Sequence, residues 1–264
     1  MTSLSLMMIA NISLSHFKQF EDQASALGLH ISWTKTKVQN IGAGPSPQNL
    51  LINGQDVESV EQFTYLGSVL NSSSGSRSEQ VRQIGIAATT MQNLAQIWKV
   101  TALRLTTKLR LYMTLVIPVL LYASDTWTLT KVYTSLLQAF HMRCQRQILG
   151  VRWFDKKTNA SVTQRTGLPH IGKLIQHRRY SLFGHVVRMD SRAPCHRIMK
   201  LCRDITAKRR VPSGWKRPRG RPCTTWLSQI RQDNGLPITT SWTRAGDRVL
   251  WRADARALPS NATG

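Results

Sequence analysis

The sequence predicts a mainly α-helical protein with a small α+β region at its N-terminal end. Apolar residues recur at spacings of three and four over most of residues 77–258, as in helices that bury one face. Short strand-like segments are confined to residues 30–67. Hydrophobic residues make up 41% of the 264 residues, which is enough to build a core.

The N-terminal region begins with a predicted helix over about 15–29, where apolar residues lie on one side. Residues 30–33 then alternate like a short strand. Further strand-like pieces follow at 50–52, 57–60 and 63–67. Asn53-Gly54 lies between the first two of these and predicts a hairpin, because both residue types tolerate a positive φ.

The remainder of the chain is predicted to be helical. A stripe from Val81 to Trp98 marks a first helix. A second, over about 106–122, is expected to break near Pro118, and a third, over 132–149, is expected to end at Gly150. Shorter helices are predicted over 158–167, 171–188, 223–233 and 239–257. Residues 206–222, rich in bases, proline and glycine, are predicted to form an exposed linker.

The charge of the chain is large and unevenly distributed. Lys and Arg number 36 against 13 Asp and Glu, a net charge of +23. Residues 133–264 hold 26 of the bases and 6 of the acids, which gives this half +20. Such a surface needs a polyanion nearby, so RNA or DNA is the leading predicted partner and an acidic membrane surface the second. No small-molecule substrate is evident.

Membrane insertion and secretion are not expected. The strongest apolar run, Leu111–Ala123, has 13 residues and contains a proline, so it is too short to span a bilayer and favours a buried helix. The N-terminus lacks the basic segment of a signal peptide, and four scattered cysteines do not make a disulfide framework. We therefore predict an intracellular protein of the nucleus or cytoplasm.

No catalytic or metal-binding constellation stands out in the sequence. Phosphoryl chemistry with two metal ions needs converging carboxylates, and the only adjacent acidic pair, Glu21-Asp22, lies on a predicted helix where neighbours diverge. A zinc site is a weak alternative to ordinary thiols, because six residues separate the first two cysteines of the candidate set. That set is Cys195, His196, Cys202 and Cys223.

The basic linker contains the strongest short motif for nucleic-acid binding. Residues 218–222 read Pro-Arg-Gly-Arg-Pro, which matches the core of an AT-hook that inserts arginines into the minor groove. The alternative is a solvated linker. Trp153, Trp215 and Trp251 lie beside basic residues and are candidates for stacking on unpaired nucleobases. Trp215 is the best of these candidates because it lies in the polar linker, whereas the helical spacing of Trp251 favours a core position. The predicted nucleic-acid-binding residues are Lys37, Arg178, Arg179, Lys216, Arg217, Arg219 and Arg221.

Several ordered motifs carry a resemblance to a known family. They are Trp33-x-Lys-Thr-Lys37, Ile52-Asn-Gly54, Phe63-Thr-Tyr-Leu-Gly67, the run 112–122, Arg146-Gln-Ile-Leu-Gly150, Phe183-Gly-His-Val-Val-Arg-Met189, Arg219-Gly-Arg-Pro-x-x-x-Trp226 and Asp247-Arg-x-x-Trp-Arg252. In this order they resemble the downstream palm, thumb and C-terminal region of reverse transcriptases from LINE-type (non-LTR) retrotransposons. The resemblance covers nearly the whole chain from about residue 20.

The resemblance implies a role for each part of the chain. Lys35 falls at motif D, whose lysine is thought to act as a general acid toward pyrophosphate, and Phe63, Tyr65, Leu66 and Gly67 fall at the primer grip. The implied regions are a palm remnant (1–70), a helical thumb (77–150), a helical basic region (151–205), the basic linker (206–222) and C-terminal helices (223–258).

The sequence departs from the family at the catalytic centre. Residues 1–11 stand where the family has its aspartate turn and contain no aspartate, so the chain looks truncated before motif D. Mg²⁺ is therefore expected only for the complete family enzyme, and this fragment is expected to need no cofactor. The leading hypothesis is a nucleic-acid-binding remnant that holds template–primer without extending it. The alternatives are an architectural DNA-binding protein that uses the linker, and a poorly folded product with non-specific affinity for polyanions.

Overall fold

A computed structural model describes residues 3–4, 7–9, 14–39, 49–52, 54–65, 67–71, 77–207 and 224–258. The chain divides into two compact units, Met1–Val81 and Arg82–Gly264. Strands occur only in the first unit among these described residues, and the second unit is built from helices. The mainly helical fold with a small N-terminal α+β region is therefore confirmed at this level.

The first unit pairs its strands two at a time. Its elements are β1 (Ser3–Leu4), β2 (Met7–Ile9), α1 (Leu14–Ala26), β3 (His30–Ile31), β4 (Lys37–Gln39), β5 (Leu50–Ile52), β6 (Gln55–Val57), β7 (Gln62–Tyr65) and β8 (Ser68–Asn71). Strands β1 and β3 pair in parallel, as do β2 and β4, whereas β5–β6 and β7–β8 are antiparallel hairpins. Buried Ile31, Val38 and Val57 form a small core.

The Asn-Gly hairpin is confirmed. Ile52 pairs with Gln55, so two residues make the turn, and Gly54 has a φ of 76°. The second strand therefore begins two residues earlier than predicted. The strand predicted over 30–33 is shorter than expected, because a 3₁₀ turn over Trp33–Lys35 interrupts it.

Eleven further helices are described after the strands. They are α2 (Arg77–Asn93), α3 (Ala95–Lys99), α4 (Leu105–Leu111), α5 (Ile117–Leu120), α6 (Lys131–Leu149), α7 (Asn159–Thr166), α8 (Ile171–Val187), α9 (Pro194–Thr206), α10 (Trp226–Asn234), α11 (Ile238–Gly246) and α12 (Arg248–Ala257). Among the described residues, no helix combines the length and the apolar composition that a bilayer crossing requires.

Caps and breaks set the ends of these helices. Gly150 closes α6 in the left-handed conformation, as predicted, with a φ of 67°. The break near Pro118 is also confirmed, since a π-helical turn over Tyr112–Val116 precedes α5 and the proline has no amide hydrogen to donate. The helix predicted over 239–257 is in fact two helices. Asp247 divides them, because its carboxylate accepts hydrogen bonds from the backbone of Val249 and Leu250 and caps α12.

Two apolar clusters form the core of the second unit. The first includes Trp98, Tyr112, Leu120, Leu137, Phe140, Ile171 and Ile175. The second includes Tyr180, Phe183, Leu227, Ile230, Ala245 and Trp251. Helix α8 contributes to both, with its first turns in one cluster and its later turns in the other. The passage from the first apolar cluster to the second therefore falls inside α8. The predicted boundary between the thumb and the helical basic region lies earlier, at residue 150.

Aromatic rings pack closely in the second cluster. Trp251 stacks on Tyr180 with ring centroids 3.6 Å apart, and its Nε1 donates to the Tyr180 carbonyl at 2.9 Å. Gly184 makes this approach feasible, since a Cβ built there would lie 2.4 Å from the Trp251 ring. Trp226 reaches outside the cluster, and its Nε1 donates to the Asp125 carbonyl at 2.7 Å.

Candidate nucleic-acid interface

Lys35, the predicted motif D lysine, and Lys37, a predicted nucleic-acid-binding residue, lie at the end of the 3₁₀ turn and on the strand after it. Lys35 ends the turn and is exposed. Lys37, on β4, is half-buried, and its Nζ lies 2.6 Å from Glu58 Oε2. Lys35 is thus the more available of the two cations, whereas an ion pair already holds Lys37.

The predicted primer grip falls on the hairpin of β7 and β8. Phe63 is half-buried, Tyr65 is 49% exposed, and Gly67 occupies the turn with a φ of 79°. Leu66 lies outside the described residues. The backbone amide of Val69 donates to the buried Glu79 carboxylate at 2.6 Å, which fixes the hairpin to the start of α2. A hairpin is present at the predicted place, and its role as a primer grip stays a prediction.

The structure gives Arg178 and Arg179 internal partners instead of a free surface. Arg179 is 4% exposed, and its Nη1 lies 2.6 Å from the Asp233 carboxylate. Burial raises the pKa of Asp233, and the nearby guanidinium opposes that rise. Arg178 is half-buried and donates to the Leu121 carbonyl at 2.8 Å. The guanidinium of Arg179 is buried and forms an ion pair between α8 and α10, and its predicted contact with nucleic acid stays a prediction.

The weak zinc alternative does not fit the geometry of α9. Cys195 and Cys202 share this helix seven residues apart, so about 10 Å of helical rise separates their positions, too far for one tetrahedral ion. His196 Nδ1 lies 3.1 Å from the Val186 carbonyl and is already occupied. Cys223 lies outside the described residues. No group of three or more potential metal ligands occurs within the part of the chain that the structure describes.

The predicted linker contacts cannot be placed. Residues 208–223 lie outside the described residues, and with them Trp215, Lys216, Arg217, Arg219 and Arg221. The AT-hook-like motif therefore stays a prediction.

The structure places around Trp251 three arginines that belong to the motifs of the family resemblance but not to the predicted nucleic-acid-binding residues. Arg188 follows α8, and its Nη1 donates to the Ala245 carbonyl, near the end of α11, at 2.7 Å. Its guanidinium lies over Gly184, beside the ring of Trp251 on α12. Arg248 and Arg252 flank Trp251 along α12 and are exposed. These three residues are termed the arginine cluster.

The electrostatics of the arginine cluster favour a bound anion. Desolvation lowers the pKa of Arg188, and the positive charges of Arg248 and Arg252 lower it further. Among the ion pairs found between described residues, none includes a member of the cluster. The nearby Asp247 carboxylate is committed to the cap of α12. The charges of Arg248 and Arg252 thus act on Arg188, and no member of the cluster belongs to an ion pair found between described residues, an arrangement suited to phosphate oxygens.

A spacing in the sequence could have indicated this surface. Arg248, Arg252 and Arg256 recur every four residues, which places them on one side of a helix, and all three are exposed. The spacing does not indicate the contribution of Arg188, because this residue follows α8 and lies 60 positions before Arg248.

Comparisons with known proteins give one significant relative. No protein-family model matches the chain, and no solved structure matches it. A protein of Caenorhabditis elegans is 24% identical over 269 aligned positions, which cover 96% of this chain and 91% of the relative. That relative is named an uncharacterized transposon-derived protein. The chain is thus similar, over nearly its whole length, to a protein described as derived from a transposon.

Proposed function

We propose that this chain is a transposon-derived nucleic-acid-binding protein that holds a template–primer or target duplex through its helical unit. The arginine cluster carries the proposal, because Arg188, Arg248 and Arg252 lie around Trp251 and belong to none of the ion pairs found between described residues. The name of the C. elegans relative and the ordered motifs that resemble LINE-type reverse transcriptases support a retrotransposon origin.

Phosphate binding follows from the chemistry of the cluster. A guanidinium offers planar, paired donors that match two oxygens of a phosphate group. A phosphate between the arginines would also relieve the mutual repulsion that lowers the pKa of Arg188. The net charge of +20 on residues 133–264 adds long-range attraction for any nucleic acid.

Chain extension is not part of this proposal. Polymerase chemistry needs carboxylates that hold two metal ions, and the described residues contain no group of three or more potential metal ligands. We expect no nucleotide incorporation by this chain in a primer-extension assay with Mg²⁺. Incorporation would contradict this part of the proposal.

Binding to a labelled RNA–DNA hybrid, followed by fluorescence anisotropy across a range of salt concentrations, tests the proposal. Arg248→Gln with Arg252→Gln removes two exposed charges without disturbing the core. If both arginines contact phosphates, the slope of log affinity against log salt becomes shallower by about 2. Affinity near physiological salt should fall by about tenfold or more.

A matched control removes the same charge elsewhere. Arg104→Gln with Arg110→Gln also takes two exposed arginines from the second unit, away from the arginine cluster. We expect its affinity to fall less than threefold. Equal losses in the two double variants would show that net charge alone drives binding and would contradict a site at the cluster. Circular dichroism checks that all variants fold.

The second candidate function is architectural DNA binding through the linker, favoured by the Pro-Arg-Gly-Arg-Pro motif at 218–222. Arg219→Ala with Arg221→Ala separates the two functions. The architectural function predicts the loss of most affinity for A·T-rich duplex. The proposed function predicts that affinity for RNA–DNA hybrid is largely kept.

A further inference from the structure

A short turn between α6 and α7 exposes two aromatic rings. Trp153 and Phe154 belong to a 3₁₀ turn over Trp153–Asp155 and are 91% and 52% exposed. Their rings meet edge to face with centroids 5.8 Å apart. Trp153 is the most exposed of the large hydrophobic side chains within the described residues. Burial of a side chain of this size normally stabilises a protein, whereas this turn leaves the ring exposed to solvent.

Polar contacts hold the turn in place from both sides. The backbone amide of Arg152 donates to Asp155 Oδ2 at 2.7 Å, and the amide of Asp155 donates back to the Arg152 carbonyl at 3.1 Å. Arg146 Nη2 donates to Asn159 Oδ1 at 2.7 Å and to the Lys157 carbonyl at 3.3 Å. The rings therefore project from a preorganised backbone, which lowers the entropy lost when a ligand binds.

Backbone strain and positive charge occur at the same turn. Lys156 has a φ of 46°, a left-handed conformation that is unfavourable for a residue with a side chain. The Arg152 guanidinium lies 5.8 Å from the centroid of the Phe154 ring. Lys157 and Arg165 line a groove of about 300 Å³ next to the turn, together with apolar Leu149 and Val151. The carboxylate of Asp155 accepts a hydrogen bond from the backbone amide of Arg152. The basic side chains of residues 152–157 therefore have no other acidic residue within this turn to pair with.

We propose that the turn over 152–157 is a stacking platform for an unpaired nucleobase, with Arg152, Lys156 and Lys157 holding the adjacent phosphates. This proposal rests on the proposed function and names the single-stranded part of its ligand. An exposed indole offers a flat π-face to any base, and the flanking cations neutralise the backbone on either side of it. The bases of a blunt duplex are already stacked on one another, so the platform favours single strands.

Binding of the full chain to a fluorescein-labelled 15-mer of thymidine, measured by anisotropy, tests the platform. Trp153→Ala removes the ring from an exposed position and should weaken this binding by about 5- to 100-fold. Trp153→Phe should restore most of the affinity, because phenylalanine keeps a π-face. Val132→Ala truncates another side chain of high exposure and should leave the affinity unchanged.

Binding to a blunt RNA–DNA hybrid, measured in parallel, shows whether the stacking platform or the whole proposed function has failed. Trp153→Ala should bind the blunt hybrid within twofold of the unsubstituted chain. If the unsubstituted chain does not bind the hybrid, the proposed function fails. If it binds the hybrid but Trp153→Ala leaves the affinity for the 15-mer intact, or weakens both ligands equally, the platform fails alone. Vesicles containing phosphatidylserine provide a further test. If Trp153→Ala loses binding to these vesicles but keeps its affinity for the 15-mer, the turn is a membrane contact and the stacking platform is overturned.

Discussion

The lack of a side chain at Gly184 lets the Trp251 ring lie directly against the backbone of α8 in the second apolar cluster. Ala at this position would bring its Cβ to 2.4 Å from the Trp251 ring and 2.9 Å from the Arg188 guanidinium. Trp251 cannot retreat without losing its stack on Tyr180 and its hydrogen bond to the Tyr180 carbonyl. We expect Gly184→Ala to lower the free energy of unfolding by about 1–3 kcal/mol.

Urea denaturation measures this loss, and another helical glycine provides the control. A Cβ at Gly85 in α2 would meet no atom within 4 Å. Gly85→Ala should therefore raise the free energy of unfolding by up to about 1 kcal/mol, since alanine is the better helix former. A loss at Gly85 as large as that at Gly184 would contradict the explanation by close approach.

His141 is buried in a defined protonation state. Its Nε2 lies 3.2 Å from the Pro169 carbonyl and must donate to it, so Nδ1 carries no hydrogen and accepts from the Tyr112 hydroxyl at 2.7 Å. Burial lowers the pKa of His141 to about 4 and raises the pKa of Tyr112. Both side chains are fully buried, so they stay neutral and serve the structure.

This pKa predicts a loss of stability in mild acid. The unfolded chain protonates its histidine near pH 6.5, whereas the folded chain resists protonation down to about pH 4. The unfolded state therefore binds more protons within this window. The contribution of His141 to the free energy of unfolding is fully present above pH 6.5 and falls by up to about 1.4 kcal/mol for each pH unit below it.

Urea denaturation at several pH values tests the loss, with His141→Phe as the comparison. The variant removes the titrating ring but keeps His170 and His177, whose pKa values burial also lowers. Its stability should depend less on pH between 4 and 6.5. Parallel curves for the two proteins would show that His141 does not titrate as described.

At the scale of elements, a buried ion pair connects α8 to α10. Arg179 and Asp233 are almost fully enclosed, and Gln176 adds a hydrogen bond from its Nε2 to the Asp233 carbonyl at 3.2 Å. Asp233→Ala would strand the arginine without a counter-charge, which should lower the free energy of unfolding by about 3–5 kcal/mol.

A double variant separates the structural role of Arg179 from a role in binding. Arg179→Met with Asp233→Leu replaces the pair by apolar side chains and should recover most of the stability that Asp233→Ala loses. Its affinity for RNA–DNA hybrid should stay within twofold of that of the unsubstituted chain. A large loss of affinity in this folded variant would restore Arg179 to the binding surface.

The elements show which features the sequence predicts. Helix α6 was predicted to within one residue, because its apolar spacing and Gly150 are both local. Helix α9 has no counterpart among the predicted helices, and none of its residues is buried. The division between α11 and α12 was also missed, because apolar residues continue through it and the cap of Asp247 depends on one side-chain oxygen. The arginine cluster and the Arg179–Asp233 pair join residues more than 50 positions apart, which no local pattern indicates.

At the scale of the whole chain, the uneven distribution of charge does not follow the division into two compact units. The front half is close to neutral and the back half carries +20, whereas the boundary along the chain between the two compact units falls after Val81. The helical unit therefore contains both a nearly neutral part and a strongly basic part. Its arginine cluster and its exposed Trp153 turn both lie in the basic half.

Helix α8 contributes to both apolar clusters of the helical unit. Hydrogen bonds also connect α10 to residues of the segment between α5 and α6. Gln229 of α10 accepts from the backbone amide of Leu129 and donates to its carbonyl, and Trp226 donates to Asp125. Helices α10–α12 are thus fastened to the earlier helices by buried side chains as well as by the polypeptide between residues 207 and 224.

Because buried side chains connect α10–α12 to the earlier helices, two separately translated fragments of the chain should assemble into one complex. We expect a tagged fragment of residues 1–215, co-expressed with residues 216–264, to retain its partner in equal amounts through affinity purification. Trp251→Ala in the smaller piece should release it, and loss of the unsubstituted smaller piece would contradict this expectation. The chain is therefore a natural candidate for a split reporter, in which reunion of the halves rebuilds the aromatic core and the arginine cluster at once.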